Sequence, residues 1–148
     1  MQYRKVPKSG VELSCISFGG MRIPTGRGVP EEQAIATVRR AIDLGVNYLE
    51  TAPGYGNSEV LIGKALKDGY RERTCVSTKS HVSKSPDVAG LYRSLEESMR
   101  RLDVDYVDFY HMWYVCTKKE WRAVMKKGGQ LDGANAQSGE EGVGAGRR

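Results

Sequence analysis

The chain has 148 residues, 39% hydrophobic and 28% charged, with a formal charge of +5, enough for one soluble domain with a core of its own. Basic and acidic residues alternate along most of the chain rather than forming a stripe, which excludes nucleic acid as the expected partner. No apolar run is long enough to span a bilayer, and Met1 to Lys5 lead into no apolar signal core, so a cytoplasmic protein without membrane contact is expected.

Tyr3 to Val6 and Val11 to Leu13 predict a short hairpin turning at Pro7-Lys8-Ser9-Gly10. Ile16, Ser17 and Phe18 then predict a first core strand ending at Gly19-Gly20, where the absence of side chains permits close approach by a ligand or simply a turn. Pro30, followed by Glu31 and Glu32, opens a helix with Ile35, Val38 and Ile42 on one face, stopped by Gly45. Val46 to Leu49 form a second strand ending at Glu50. Asn57 or Ser58 caps a second helix whose Leu61, Ile62, Ala65 and Leu66 face inward.

Cys75, Val76 and Ser77 give the third strand. Ser85 as N-cap with Pro86 at the first helical position starts a third helix, with Val88, Leu91, Leu95 and Leu102 at helical spacings. Tyr106 to Tyr110 make the fourth strand, and Thr117 caps a fourth helix whose apolar edge is Trp121, Val124 and Met125, ended by Gly128-Gly129. Residues 133–148 hold five glycines and one valine. They bury too little to offset their ordering entropy and are expected to be a disordered tail. The three cysteines, Cys15, Cys75 and Cys116, are far apart, which predicts buried free thiols rather than disulfides or zinc ligands. With only two histidines, no protein-built metal site is expected.

Three segments place polar residues at successive strand ends roughly 30 residues apart, the length of one β/α unit. They are Glu50-Thr51-Ala52-Pro53-Gly54-Tyr55, Val76-Ser77-Thr78-Lys79-Ser80 and Asp108-Phe109-Tyr110-His111-Met112-Trp113. Glu50, Tyr55 and Lys79 therefore fall on one rim. A free phenol is a poor acid at neutral pH, but a cation about 4 Å away favours loss of its proton by roughly 4 kcal/mol at an effective dielectric near 20. Glu50 would keep Lys79 charged and in place. Such a phenol suits proton donation to a carbonyl oxygen as hydride reaches the carbonyl carbon. Read structurally instead, Tyr55 only covers a Pro-Gly-Tyr-Gly turn and Lys79 is a solvated surface lysine.

Asn47-Tyr48-Leu49-Glu50-Thr51-Ala52-Pro53-Gly54-Tyr55-Gly56 with Ser58-Glu59, then Ser77-Thr78-Lys79, then Asp105-Tyr106-Val107-Asp108-Phe109-Tyr110, resembles the aldo-keto reductase family. So does the opening, from Tyr3-Arg4-Lys5-Val6 to Phe18-Gly19-Gly20-Met21. The resemblance covers residues 1–132, a single region ahead of the tail. It implies an α/β fold, the first four or so units of a (β/α)8 TIM barrel behind an N-terminal hairpin, with NADPH as cofactor and small aldehydes or ketones as substrates. It also implies a catalytic tetrad of Asp, Tyr, Lys and His. Tyr55 matches as proton donor and Lys79 as its cationic partner. Glu50 stands at the Asp position, where a shift of about an ångström is expected to slow the reaction by about 100-fold.

Trp113 stands where the family pattern has its histidine. His111, two residues earlier on the same strand face, is the candidate replacement at about 7 Å, and otherwise lines the barrel while Trp113 walls the substrate pocket. Gly20, Met21 and Arg22 match positions lining the nicotinamide or pyrophosphate of the cofactor. The other nucleotide-binding loops of the family come after later strands, so a truncated reductase impaired in NADPH binding is expected, with strands one and four as open edges for self-association. The alternative is a catalytically silent, structural or ligand-sensing remnant of the same fold.

Overall fold

The computed structural model describes residues 1–7, 9–23, 28–85 and 87–132. β1 (Tyr3–Lys5) and β2 (Glu12–Ser14) form an antiparallel hairpin with Tyr3 opposite Ser14. Asn47 ties the hairpin down: its Oδ1 accepts from the Ser14 N–H at 2.7 Å and its Nδ2 donates to Glu12 O at 2.9 Å. The predicted turn is closed by Val6 N–H donating to Val11 O at 2.8 Å.

Four parallel strands come next, in sheet order β3-β4-β5-β6. They are β3 (Phe18–Gly19), β4 (Tyr48–Glu50), β5 (Cys75–His81) and β6 (Phe109–Trp113). The helices α1 (Glu31–Asp43), α2 (Ser58–Ala65), α3 (Val88–Leu102) and α4 (Lys118–Met125) alternate with them. This is about four consecutive units of a (β/α)8 barrel, with β3 and β6 as the outer strands of the described sheet. Among the described residues no helix is long and apolar enough to cross a membrane.

Strand alternation divides the sheet into two faces. Leu49 and Val76 point toward the helices and meet Val38 and Ile42 of α1, Leu61, Ile62 and Ala65 of α2, and Leu102 of α3 in one buried cluster. Tyr48 and Glu50, then Ser77, Lys79 and His81, then Phe109, His111 and Trp113 alternate with those residues and share the inner face, where Tyr48 meets Phe109 edge to face at 5.5 Å. Helix packing at α2 and α3 is set by Gly63: a Cβ there would lie 2.7 Å from the carbonyl carbon of Leu102 and closer still to its oxygen. Gly63→Ala is therefore expected to lower unfolding stability by about 2 kcal/mol despite alanine's better helix propensity. A urea midpoint at or above that of the parent would contradict the contact.

Several expectations are corrected. Ile16 is not in a core strand but 63% exposed, because the first parallel strand is only Phe18–Gly19. β5 runs on to His81, and β6 begins at Phe109 rather than Tyr106 and includes His111 and Trp113. Asp87, not Ser85, caps α3, its carboxylate accepting from the Gly90 N–H at 2.7 Å, while Pro86 lies outside the described residues. Neither Asn57 nor Ser58 caps α2 by side chain, since the Ser58 hydroxyl is paired with that of Thr51 at 2.8 Å. Thr117 does cap α4, in a reciprocal box with Glu120. Of the expected edge of that helix, Val124 is buried while Trp121 and Met125 are exposed. Cys75 is buried as expected, but Cys15 and Cys116 are exposed, outside the strands whose packing would cover them. The Gly-rich tail of residues 133–148 lies outside the described residues.

Candidate active site

β4 ends at Glu50 and the chain crosses the end of the sheet, where the Thr51 N–H donates to Ser77 O at 2.9 Å. A tight turn comes next: Tyr55 N–H donates to Ala52 O at 3.0 Å, and Ser58 N–H donates to Tyr55 O at 3.2 Å as α2 begins. The Thr51–Ser58 hydroxyl pair, fully buried, pins the two ends of that loop together. Tyr55 is thus held between a strand end and a helix start, half-buried, with its ring turned back over the sheet.

Lys79 reaches the same point from β5. Its ammonium donates to the Tyr55 Oη at 2.8 Å and to Glu50 Oε1 in a direct ion pair. The Nζ lies 4.7 Å from the Tyr55 ring centroid and 5.4 Å from that of Trp113. Burial pushes the Lys79 ammonium below its usual lysine value, and the Glu50 carboxylate against it favours the charged form. The longer glutamate side chain still meets Lys79, so the Asp-to-Glu departure leaves the ion pair in place. Because Lys79 donates to the phenolic oxygen, that oxygen's own proton points elsewhere, and negative charge left on the oxygen as the proton departs is stabilised by the ammonium. The arrangement holds a phenol between a strand end and a helix start with an ammonium on its oxygen.

The two residues competing for the fourth position are placed differently. Trp113 stands edge to face with Tyr55, ring centroids 6.2 Å apart. His111, opposite Lys79 in the β5–β6 register, is hydrogen-bonded through Nε2 to the Tyr48 hydroxyl at 3.2 Å. Partial desolvation, and then the charge of Lys79, hold its imidazole below the usual histidine value. It is engaged with β4 and lies two residues before Trp113 on β6.

Gly20 opens a short 3-10 turn, Gly20–Arg22. Its missing side chain is used by the chain itself: a Cβ would collide with the Ser58 hydroxyl and come within 3.0 Å of Glu50 O. Gly19 meets nothing within 4 Å in the same sense, and Met21 and Arg22 are exposed. No cluster of potential metal ligands occurs among the described residues.

The family model for the aldo/keto reductase family matches residues 15–130. The chain belongs to that family. Aldo-keto reductase YhdN of Bacillus subtilis is 32% identical over 76% of this chain. Among solved structures, the thermostable aldo-keto reductase Tm1743, in complex with the inhibitor epalrestat, is 33% identical over 76% of this chain and 42% of its own, with a TM-score of 0.68. The aldo-keto reductase from Klebsiella pneumoniae in complex with NADP and acetate is 26% identical over 78% of this chain and 41% of its own, with a TM-score of 0.64. The chain spans 38% of the length of the Bacillus relative. This aldo-keto reductase segment thus has the family's parallel β/α units and brings Glu50, Tyr55 and Lys79 together.

Sequence reasoning misses His81. β5 continues far enough to carry it, opposite Trp113 in register, with ring centroids 5.1 Å apart. The available signal is its spacing of two from Lys79, which puts both on one face of a strand. Also missed is the buried Glu59 carboxylate, which accepts from the Thr78 hydroxyl at 2.7 Å and from Arg101 Nε at 2.6 Å behind the site.

Proposed function

We propose that this chain supplies the proton-donating side of an NADPH-dependent oxidoreductase that reduces aldehydes or ketones to alcohols. The observation that carries the reading is Lys79 bridging Glu50 and the Tyr55 phenol. NADPH, when bound, supplies the hydride. The exposed Arg22 suits a phosphate of such a cofactor and the exposed Met21 an apolar ring. Tyr55 gives its proton to the carbonyl oxygen as charge develops there, Lys79 stabilises the phenolate that remains, and Glu50 keeps Lys79 oriented. Trp113 excludes water on one side of the reacting oxygen. The experiment is carbonyl-dependent loss of NADPH absorbance with a panel of aldehydes and ketones, the alcohol being identified as product. NADPH bound but not consumed with any carbonyl would leave the second reading, a catalytically silent fold, which the indole of Trp113 at the family's histidine position favours.

Lys79 also gives the reaction a pH dependence. The reaction needs its ammonium, so activity is present at neutral pH and lost as pH rises through the folded-state value, which burial has lowered from the ordinary one. The alkaline fall in kcat/KM is thus expected below the usual lysine range. For stability the sign is opposite: between the lowered and the ordinary value the unfolded chain binds more protons, so this group's contribution improves as pH rises. A kcat/KM profile flat into the usual lysine range would contradict the assignment.

A further inference from the structure

We infer that His81 is a second hydrogen-bond donor to the carbonyl oxygen that receives the Tyr55 proton, an inference that rests on the reductase reading. Lys79 and His81 are two residues apart on β5 and share its inner face, with His81 nearer the rim where a substrate enters. The imidazole stands edge to face with Trp113 at 5.1 Å and lies tilted at 33° against the ring of Tyr114 at the same distance. Trp113 is also the ring that meets Tyr55. His81 on β5 and Tyr55 on the loop after β4 therefore both meet the Trp113 ring, whose centroid also lies 5.4 Å from Lys79 Nζ.

The local bonding is compatible with the imidazole acting as a donor through Nε2. Ser83 Oγ and His81 Nδ1 are 2.9 Å apart. When the Ser83 hydroxyl donates to Nδ1, the ring proton sits on Nε2, leaving that N–H to point away from the β5 turn. The only other histidine of the chain, His111, is already hydrogen-bonded to Tyr48 one strand step deeper. A carbonyl oxygen gaining negative charge is better stabilised by two donors than by one, and loss of one such donor typically costs about 100-fold in rate. The imidazole absent from position 113 of β6 is thus replaced from the register-paired position of β5.

The test labels the histidines of the full chain with nitrogen-15 and adds acetate, whose carboxylate oxygens stand in for the developing oxyanion, with NADP present. His111→Gln assigns the two imidazoles. The expected result is a saturable shift of the His81 Nε2–H resonance with no shift at His111, and a weaker response in Tyr55→Phe. No shift at His81 up to saturating acetate, or a shift at His111 alone, overturns the inference. In parallel, His81→Gln is expected to lower kcat/KM for carbonyl reduction about 100-fold with NADPH affinity unchanged. Full activity in His81→Gln would overturn the role of His81 while the reductase reading stands. A His81 shift in a chain that oxidises no NADPH with any carbonyl would sink the reductase reading while the oxygen contact stands.

Discussion

Tyr55→Phe is expected to lower kcat for carbonyl reduction by about 10²–10⁴-fold, the usual worth of a positioned acid, with NADPH affinity and circular dichroism unchanged. The phenolic oxygen's hydrogen bond in the fold is the one it accepts from Lys79. The ring's packing against Trp113 is retained by phenylalanine, so the substitution removes the hydroxyl and little else. Lys79 keeps its ion pair with Glu50 and remains ordered. A loss confined to KM would indicate that Tyr55 only binds substrate. Unchanged kcat would remove it from the chemistry altogether.

Arg101→Ala is expected to cost about 3 kcal/mol of unfolding stability, the lower end of the range for a buried charge that loses its partner. Glu59 is only 2% exposed in its side chain and sits between α2, β5 and α3. Its carboxylate is held by Arg101 Nε and the buried Thr78 hydroxyl. Arg101 itself is 31% exposed, so water entering its place offsets part of the loss. The check is a urea midpoint for Arg101→Ala, for Glu59→Gln and for the double variant. The double variant should cost less than the sum of the singles, because the neutral amide no longer needs the guanidinium. Additive costs would contradict a paired buried charge. The network also bears on function, since Thr78 precedes Lys79 on β5 and fixes that strand against the helices.

The sequence patterns that prove legible are those written in strong local physics. The four-residue step from Val38 to Ile42, and the steps of three, four and seven from Val88 through Leu91 and Leu95 to Leu102, predict helices in which Val38, Ile42, Leu91 and Leu102 are buried. Polar residues at the ends of apolar strand segments lead directly to Glu50, Tyr55 and Lys79, which the fold brings into contact. Less legible are features decided by tertiary context. Ile16 reads as core from its hydrophobicity, but the adjoining strand is two residues long and leaves it in solvent. Ser85 and Asp87 are both good caps, and only backbone geometry selects Asp87. Cys15 and Cys116 read as buried from residue type alone, whereas both lie outside the packed strands. Gly20 reads as a ligand-approach glycine, yet the neighbour that needs its space is Ser58, 38 residues further on. His81 escapes notice because the apolar pattern of the third strand stops at Ser77, and only the full length of β5 puts the imidazole opposite Trp113.

The most direct test of the account is hydride transfer itself. NADPH deuterated at both nicotinamide C4 positions is incubated with the chain and an aldehyde, and the alcohol is analysed by mass spectrometry. The expected result is one deuterium on the carbinol carbon of the product, formed with wild-type protein and lost with Tyr55→Phe. Alcohol without deuterium, or bound NADPH with no alcohol formed from any carbonyl tested, would contradict it.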